Sequence, residues 1–157
     1  EKNAFPVYYI SGKAICSGGY NMNILFFLKP KNEVVYLSSN VTARKALTDM
    51  QTHTYTAIPI LSEDGEYIGT ITEGDFLRYS TKIADGAQTP DAEENVISIP
   101  RAVSYDPISI NADMEDLISK VVNQNFVPVI DDNRKFIGII TRKDVIQYIY
   151  NKLKSLQ

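Results

Sequence analysis

The sequence predicts an α/β protein built from two copies of a β-α-β-β-α unit that pack together as one pseudo-twofold module. The main observation is a pattern that occurs twice, at residues 57–75 and 126–144. Each copy has an apolar run containing proline, a polar turn, and a second apolar run that contains glycine and ends in Thr-x-x-Asp. Matching residues lie 69 positions apart throughout. A second observation is size, because a unit of about 60 residues is marginal for burying a core alone.

The boundaries of the repeats follow from where the pattern begins and stops. Residues 22–85 are assigned to the first repeat and residues 97–157 to the second. Residues 86–96 are polar and acidic and are predicted to form a surface linker. Residues 1–21 match neither repeat and are interpreted as an N-terminal extension or an expression remnant, with a short strand at residues 7–10.

The first repeat shows each predicted element in order. A β-prone run at residues 34–37 precedes Thr42, which can cap a helix. Residues 57–61 and 67–72 predict a hairpin, and Glu73 places negative charge where the second helix begins. The apolar spacing on the two helices predicts a core face formed by Ala43, Ala46, Leu47, Met50, Phe76, Leu77 and Ile83.

The second repeat follows the same order. Ser104-Tyr105 is a β-prone pair before a break at Asp106-Pro107, and Asp113 can cap the helix that follows. The final helix is predicted from about residue 142 to about residue 153. The core face of the two helices is predicted to contain Met114, Leu117, Ile118, Val121, Val145, Ile146, Ile149 and Leu153.

The composition argues against several classes of function. A net charge of -3 disfavours nonspecific binding to nucleic acid. Cys16 is the only cysteine, so no intramolecular disulfide can form, and a reducing, cytoplasmic location is expected. The only histidine, His53, cannot build a multi-histidine metal site, so no metal is predicted. The longest apolar run, at residues 24–28, is too short to span a bilayer, so no membrane partner is predicted.

The repeated Gly-x-x-Thr-x-x-Asp sequence places a hydroxyl and a carboxylate where a strand leads into a helix. Helix N-termini carry unpaired amides and partial positive charge, so they favour anions. A threonine there can bind phosphate, and a carboxylate three residues later can accept two hydrogen bonds from a ribose. The alternative interpretation is that Thr72 and Thr141 only cap their helices, while Asp75 and Asp144 complement the helix dipole.

The paired pattern resembles a tandem of cystathionine-β-synthase (CBS) domains, the arrangement called a Bateman module. The matching parts are Asn40-x-Thr42, the apolar-proline pairs at residues 58–59 and 127–128, and both Gly-x-x-Thr-x-x-Asp sequences. Within the family the chain is similar to small stand-alone members from Gram-positive bacteria, which share the string Tyr-Thr-Ala-Ile-Pro found at residues 55–59. Some of those members bind cyclic di-AMP.

The resemblance implies two clefts, each formed by both repeats, that bind adenosine-containing ligands. In cleft two, backbone groups near Thr56 are expected to bind adenine, Asp144 the ribose, and Thr141 with Arg142 the phosphate. The full set expected for cleft two is Val35, Tyr55, Thr56, Ala57, Pro59, Thr141, Arg142 and Asp144. The second, weaker cleft, cleft one, is expected to use Thr72, Asp75, Asn125, Phe126 and Val127.

The two clefts differ in charge. Glu73-Gly74 stands in the first copy where Arg142-Lys143 stands in the second. Because a glutamate repels phosphate, cleft one is expected to bind a nucleoside, to bind weakly or to stay empty.

The resulting hypothesis is a non-enzymatic regulatory module. It is expected to bind AMP, ADP, ATP or cyclic di-AMP as a ligand, to use no catalytic cofactor, to form a homodimer, and to signal to an unknown effector protein. The alternative is a structural or interaction CBS module without ligand. An enzyme acting on a nucleotide is a third class, and against it the sequence shows no nucleophile–base pair or metal cluster.

Overall fold

The computed structural model describes residues 7–10, 13–16, 22–84 and 93–155. It confirms a mixed α/β fold with two main sheets and four helices. The helices are α1 (Ala43–His53), α2 (Glu73–Ala84), α3 (Met114–Val121) and α4 (Arg142–Lys154). The strands are β1 (Val7–Ile10), β2 (Lys13–Cys16), β3 (Lys29–Pro30), β4 (Leu37–Ser38), β5 (Ala57–Leu61), β6 (Tyr67–Thr72), β7 (Ile108–Ser109), β8 (Phe126–Ile130) and β9 (Phe136–Thr141).

The two main sheets have the same plan, with one strand exchanged. In the first repeat the strand order is β4-β5-β6, and in the second it is β7-β8-β9 with β3 added beside β9. The first strand of each set runs parallel to the central one, and the last two form an antiparallel hairpin. Since β3 precedes the first repeat's own sheet, the start of the first repeat completes the sheet of the second. A separate two-stranded hairpin, β1-β2, includes the short strand predicted at residues 7–10.

The two hydrophobic cores are also built from both halves of the chain. Val96 and Ile99 come from the start of the second repeat but are buried in the core of the first. Ile24 and Phe27, at the start of the first repeat, are buried in the core of the second. Val96 therefore belongs to a core, although the sequence analysis placed it in a surface linker. Residues 86–92 of that linker lie outside the described part of the chain.

The local start signals predicted from the sequence are confirmed. The N–H of Lys45 donates to Thr42 Oγ1 at 3.2 Å, which caps α1, and the N–H of Asp116 donates to Asp113 Oδ1 at 2.9 Å, which caps α3. At the two hairpin turns Gly65 has a φ of 81°, and its counterpart Arg134 has a φ of 63°. The duplication therefore extends to the left-handed backbone conformation of the turn.

Several residues predicted to face the core are exposed instead: Leu47, Leu77, Ile118, Ile146 and Leu153. Each lies on a helix whose opposite face covers a sheet, and the sheet buries a narrower stripe than the apolar spacing indicated. The side chain of Ile83 lies outside the described residues.

Two strand predictions also need correction. The run at residues 34–37 forms a strand only from Leu37, and Ser104-Tyr105 forms none, because β7 begins after Pro107 at Ile108. The ring of Tyr105 instead packs against the ring of Phe126, with centroids 5.0 Å apart.

Candidate functional site

Each Thr-x-x-Asp sequence forms a closed hydrogen-bonded pair at the end of a strand. In the first repeat Thr72 Oγ1 donates to Asp75 Oδ2 at 2.7 Å and accepts from Asp75 N at 3.2 Å. In the second repeat Thr141 Oγ1 donates to Asp144 Oδ2 at 2.5 Å and accepts from Asp144 N at 3.2 Å. Both threonines therefore cap their helices. The two copies differ in the other groups that contact each aspartate.

Asp75 is fully buried, and its carboxylate is surrounded by donors. Besides Thr72, the guanidinium of Arg78 donates to Oδ1 at 2.7 Å, and the N–H of Ala102 donates to Oδ1 at 2.9 Å. Burial alone would raise the pKa of Asp75, but these hydrogen bonds outweigh it and hold the pKa below its usual range. Asp75 is therefore an ionised, internally satisfied group rather than an open contact point.

Residues 101–105, here called the strap, contact residues predicted for cleft one from both repeats. The N–H of Ala102 bonds Asp75, and the ring of Tyr105 packs on Phe126. Phe126 and Val127 are themselves buried, and Asn125, just before β8, is exposed. The strap therefore connects Asp75 of the first repeat with Phe126 of the second.

Asp144 stands in a different environment. Its side chain is 37% exposed, and Lys29 Nζ lies 3.5 Å from its Oδ2. Lys29 belongs to β3, and the pairing of Pro30 with Gly138 carries it to the second repeat's sheet. At Gly138 a Cβ would lie 2.1 Å from the Lys29 carbonyl oxygen, so only glycine allows this close approach. The ion pair therefore joins the two repeats at the accessible aspartate.

A groove of about 680 Å³ lies between the start of the first repeat and β9 of the second. Pro30, Lys31 and Tyr36 line it from the first repeat, and Phe136 and Ile137 line it from the second. The ammonium of Lys31 lies 5.2 Å from the centre of the Tyr36 ring. The groove thus combines aromatic surface and positive charge.

The residues predicted for cleft two are not all gathered around Asp144. Tyr55 stacks on His53 with ring centroids 5.6 Å apart, and both Tyr55 and Thr56 are exposed at the entry to β5. Val35 lies between the groove residues Val34 and Tyr36. Pro59 is buried inside β5 and pairs with Thr70.

Arg142 contacts residues that the sequence analysis assigned to the other cleft. Its Nε donates to the carbonyl of Gln124 at 2.9 Å, and its backbone N–H donates to the carbonyl of Asn125. Its positive charge also opposes the rise in the pKa of Tyr105 that burial produces. In the first repeat Glu73 N likewise bonds the carbonyl of Thr56. In each repeat, the backbone N–H of the residue after the threonine therefore bonds the residue just before the first strand of the same hairpin.

Sequence reasoning missed Lys29, Tyr36 and Arg78. Tyr36 is adjacent to the predicted residue Val35, but the positions of Lys29 and Tyr36 depend on the strand exchanged between sheets, which no local pattern shows. Arg78 could have been noticed, because it lies three residues after Asp75 on one helix. Among the described residues, no group of three or more metal-ligating side chains occurs, and no helix is long and apolar enough to cross a bilayer.

This fold, a pseudo-twofold pair of β-α-β-β-α units with Thr-x-x-Asp at each strand end, defines the class of protein. The chain belongs to the CBS-domain family: the family model matches residues 28–82 and 96–151, one match for each repeat.

Individual relatives agree with this assignment. An uncharacterized protein of Methanopyrus kandleri is 28% identical over 119 residues, which cover 74% of this chain and 58% of the relative. Among solved structures, CbpB in complex with c-di-AMP has a TM-score of 0.75 at 24% identity, covering 87% of this chain and 89% of that one. A CBS domain protein from Streptococcus pneumoniae has a TM-score of 0.72 at 26% identity, covering 82% and 86%. CBSX2 in complex with AMP has a TM-score of 0.66 at 18% identity, covering 80% and 94%.

Proposed function

We propose that this CBS pair is a non-enzymatic sensor that binds an adenine nucleotide in cleft two and passes the signal to a partner protein. The observation that carries the proposal is the accessible Asp144, whose ion pair with Lys29 joins the two repeats. A ligand that joins both repeats changes the free energy of their relative arrangement, which is the basis of a regulatory output.

The ribose is assigned to Asp144. One of its oxygens is engaged by Thr141, and the side chain remains more than one third exposed. A carboxylate held in one rotamer by a threonine is a good acceptor for a vicinal diol, because it loses little side-chain entropy on binding. Tyr55, Thr56 and Ala57 are proposed to hold the adenine, with Val35 beside them.

The phosphate is assigned to the positive groups near Asp144. Lys29 pairs with Asp144, Lys31 lines the groove, and the N-terminus of the 13-residue helix α4 adds its partial positive charge. Arg142 joins them by exchanging its bond to the Gln124 carbonyl for a phosphate oxygen, which is the stronger, charge-assisted bond.

The ligand class is supported by two structures of the same fold, one bound to c-di-AMP and one to AMP. The volume of the groove, about 680 Å³, lies within the range of small-molecule sites. We propose cyclic di-AMP as the first ligand to test and AMP as the second.

The output is proposed to require a dimer and an effector protein in the cytoplasm. Apolar side chains are exposed on the outer faces of the helices, including Leu77 on α2, Val122 at the end of α3, and Ile146 with Tyr150 on α4. Such a surface suits packing of helices against a second copy of the chain.

Calorimetry with cyclic di-AMP, AMP and adenosine tests the proposal. Asp144→Asn is expected to weaken all three by about ten- to a hundredfold, because a hydrogen bond to a charged group is lost. Lys29→Ala and Arg142→Ala are expected to weaken the phosphorylated ligands by about tenfold and adenosine by less than about threefold.

Asp116→Asn is the matched control, because Asp116 is an exposed aspartate in the first turn of α3. The affinity of this variant for each ligand should equal that of the wild type. Unchanged affinity in Asp144→Asn would exclude cleft two. A thermal-shift screen adds ADP, ATP and S-adenosylmethionine to the three ligands above. If none of them binds, the alternative is favoured, namely a structural CBS module without ligand.

A further inference from the structure

The strap is anchored firmly at its two ends. Ile99, two residues before it, is buried in the core of the first repeat. Asp106, directly after it, is held by the buried side chain of Gln124, which accepts from Asp106 N at 3.0 Å and donates to the Asp106 carbonyl at 3.2 Å. The ends of the strap therefore stay in place even if its middle moves.

Two hydrogen bonds join the strap to the first repeat, one near its start and one at its end, where Tyr105 is also buried against Phe126. Ala102 N donates to Asp75 Oδ1 at 2.9 Å, and the hydroxyl of Tyr67 donates to the carbonyl of Tyr105 at 2.7 Å. Residues 101–104 are otherwise exposed and belong to no strand or helix. Segments with few buried contacts and few backbone hydrogen bonds open at low free-energy cost.

The acceptor of the first bond is fixed by Arg78. This arginine sits one helical turn after Asp75, and its guanidinium shares Oδ1 with Ala102 N. The corresponding residue of the second repeat, 69 positions later, is Gln147, which bonds Asn151 and not Asp144. The repeat that carries the arginine has the buried aspartate bonded to the strap, whereas the repeat that lacks it has the partly exposed aspartate.

We propose that Asp75 and Arg78 form a lock that holds the strap in cleft one, so that the resting chain binds a single nucleotide, in cleft two. The stoichiometry rests on the proposed function, but the lock itself does not. The strap occupies the position of a ligand, because Ala102 N takes the carboxylate that a ribose would use and Tyr105 covers Phe126. Breaking the lock exposes a second nucleotide site.

Hydrogen exchange of the full chain, read by mass spectrometry over residues 99–106, tests the lock without any ligand. Arg78→Gln copies the residue of the second repeat, and its side chain is 52% exposed, so the fold tolerates the change. Exchange in the strap should rise by at least about tenfold, while exchange in β8 and β9 stays unchanged. Asp75→Asn should give the same result if it folds. Arg44→Gln, an exposed arginine on α1, is the control and should leave the strap as in the wild type.

Calorimetry then counts the sites with cyclic di-AMP or AMP, using the one that binds the wild type. We expect one nucleotide per wild-type chain and two per Arg78→Gln chain. Strap exchange equal to that of the wild type in Arg78→Gln would overturn the lock, and two nucleotides per wild-type chain would overturn the closed cleft. If neither nucleotide binds, the proposed function fails while the exchange result still decides the lock.

Discussion

At the scale of single residues, the two aspartates of the duplicated motif have diverged although their capping bonds are the same. Asp75 is buried beneath donors from three residues, and Asp144 is partly exposed beside Lys29. The difference comes from neighbours outside the motif, namely Arg78 on one side and the exchanged strand β3 on the other. A shared motif therefore does not imply a shared role.

The pH dependence of stability tests the state of Asp75. Its pKa is lower in the folded chain than the unfolded value of about 3.9, so its contribution is present above about pH 4 and is lost as pH falls through the folded pKa. Asp75→Asn should cost about 2–3 kcal/mol at pH 7, seen as a loss of about 5–10 °C in melting temperature. The difference in stability between wild type and variant should shrink as pH falls below about 4. A difference that does not depend on pH would show that Asp75 is not ionised.

Sequence reasoning recovered the motif residues but could not separate their environments. Thr72, Thr141 and both aspartates were identified because the duplication marks them. The strap was not, because Ala102 contributes only a backbone N–H, which carries no side-chain signal. Arg142 was correctly recognised as a charged residue at a helix start, but its contact with the Gln124 carbonyl depends on a loop whose path the sequence does not encode locally.

At the scale of elements, the exchanged strand β3 is what brings a cation to Asp144. It pairs with β9 only because Gly138 lets the Lys29 carbonyl approach, whereas the equivalent Gly69 faces the flexible side chain of Arg101. The strand order of each repeat could be predicted from its own pattern. The exchange of β3 could not be predicted, because a strand of two residues is too short to show an alternating hydrophobic pattern.

Alanine at the two equivalent glycines separates these roles. Gly138→Ala should destabilise the fold by about 1–3 kcal/mol, because a Cβ 2.1 Å from the Lys29 carbonyl must push β3 away. Gly69→Ala should cost less than about 1 kcal/mol, because its Cβ meets only the guanidinium of Arg101, which can move. Chemical denaturation measures both. Equal losses would show that the β3–β9 contact is not the constraint.

At the scale of the whole molecule, each half supplies part of the other's core. Val96 and Ile99 fill the first core, and Ile24 with Phe27 fills the second. The sequence predicted a shared core from the size of one repeat, and the structure shows that it is shared through the leading segment of each repeat.

A fragment of residues 22–85 should therefore fail to fold alone. It lacks Val96 and Ile99, and it would expose Ile24 and Phe27, whose buried environment lies in the missing half. Circular dichroism during heating should show no cooperative transition, whereas residues 22–155 should melt cooperatively. A monomeric fragment with a cooperative melt would contradict the shared core.

The central claim is that an adenine nucleotide binds between the two repeats at cleft two. A crystal structure of the full chain grown with saturating cyclic di-AMP tests it most directly. The account predicts ligand density in the groove between Tyr36 and Phe136, a ribose hydroxyl within hydrogen-bond distance of Asp144, and the strap still bonded to Asp75. Ligand density in cleft one with the strap displaced, or a groove that stays empty at saturating ligand, would contradict it.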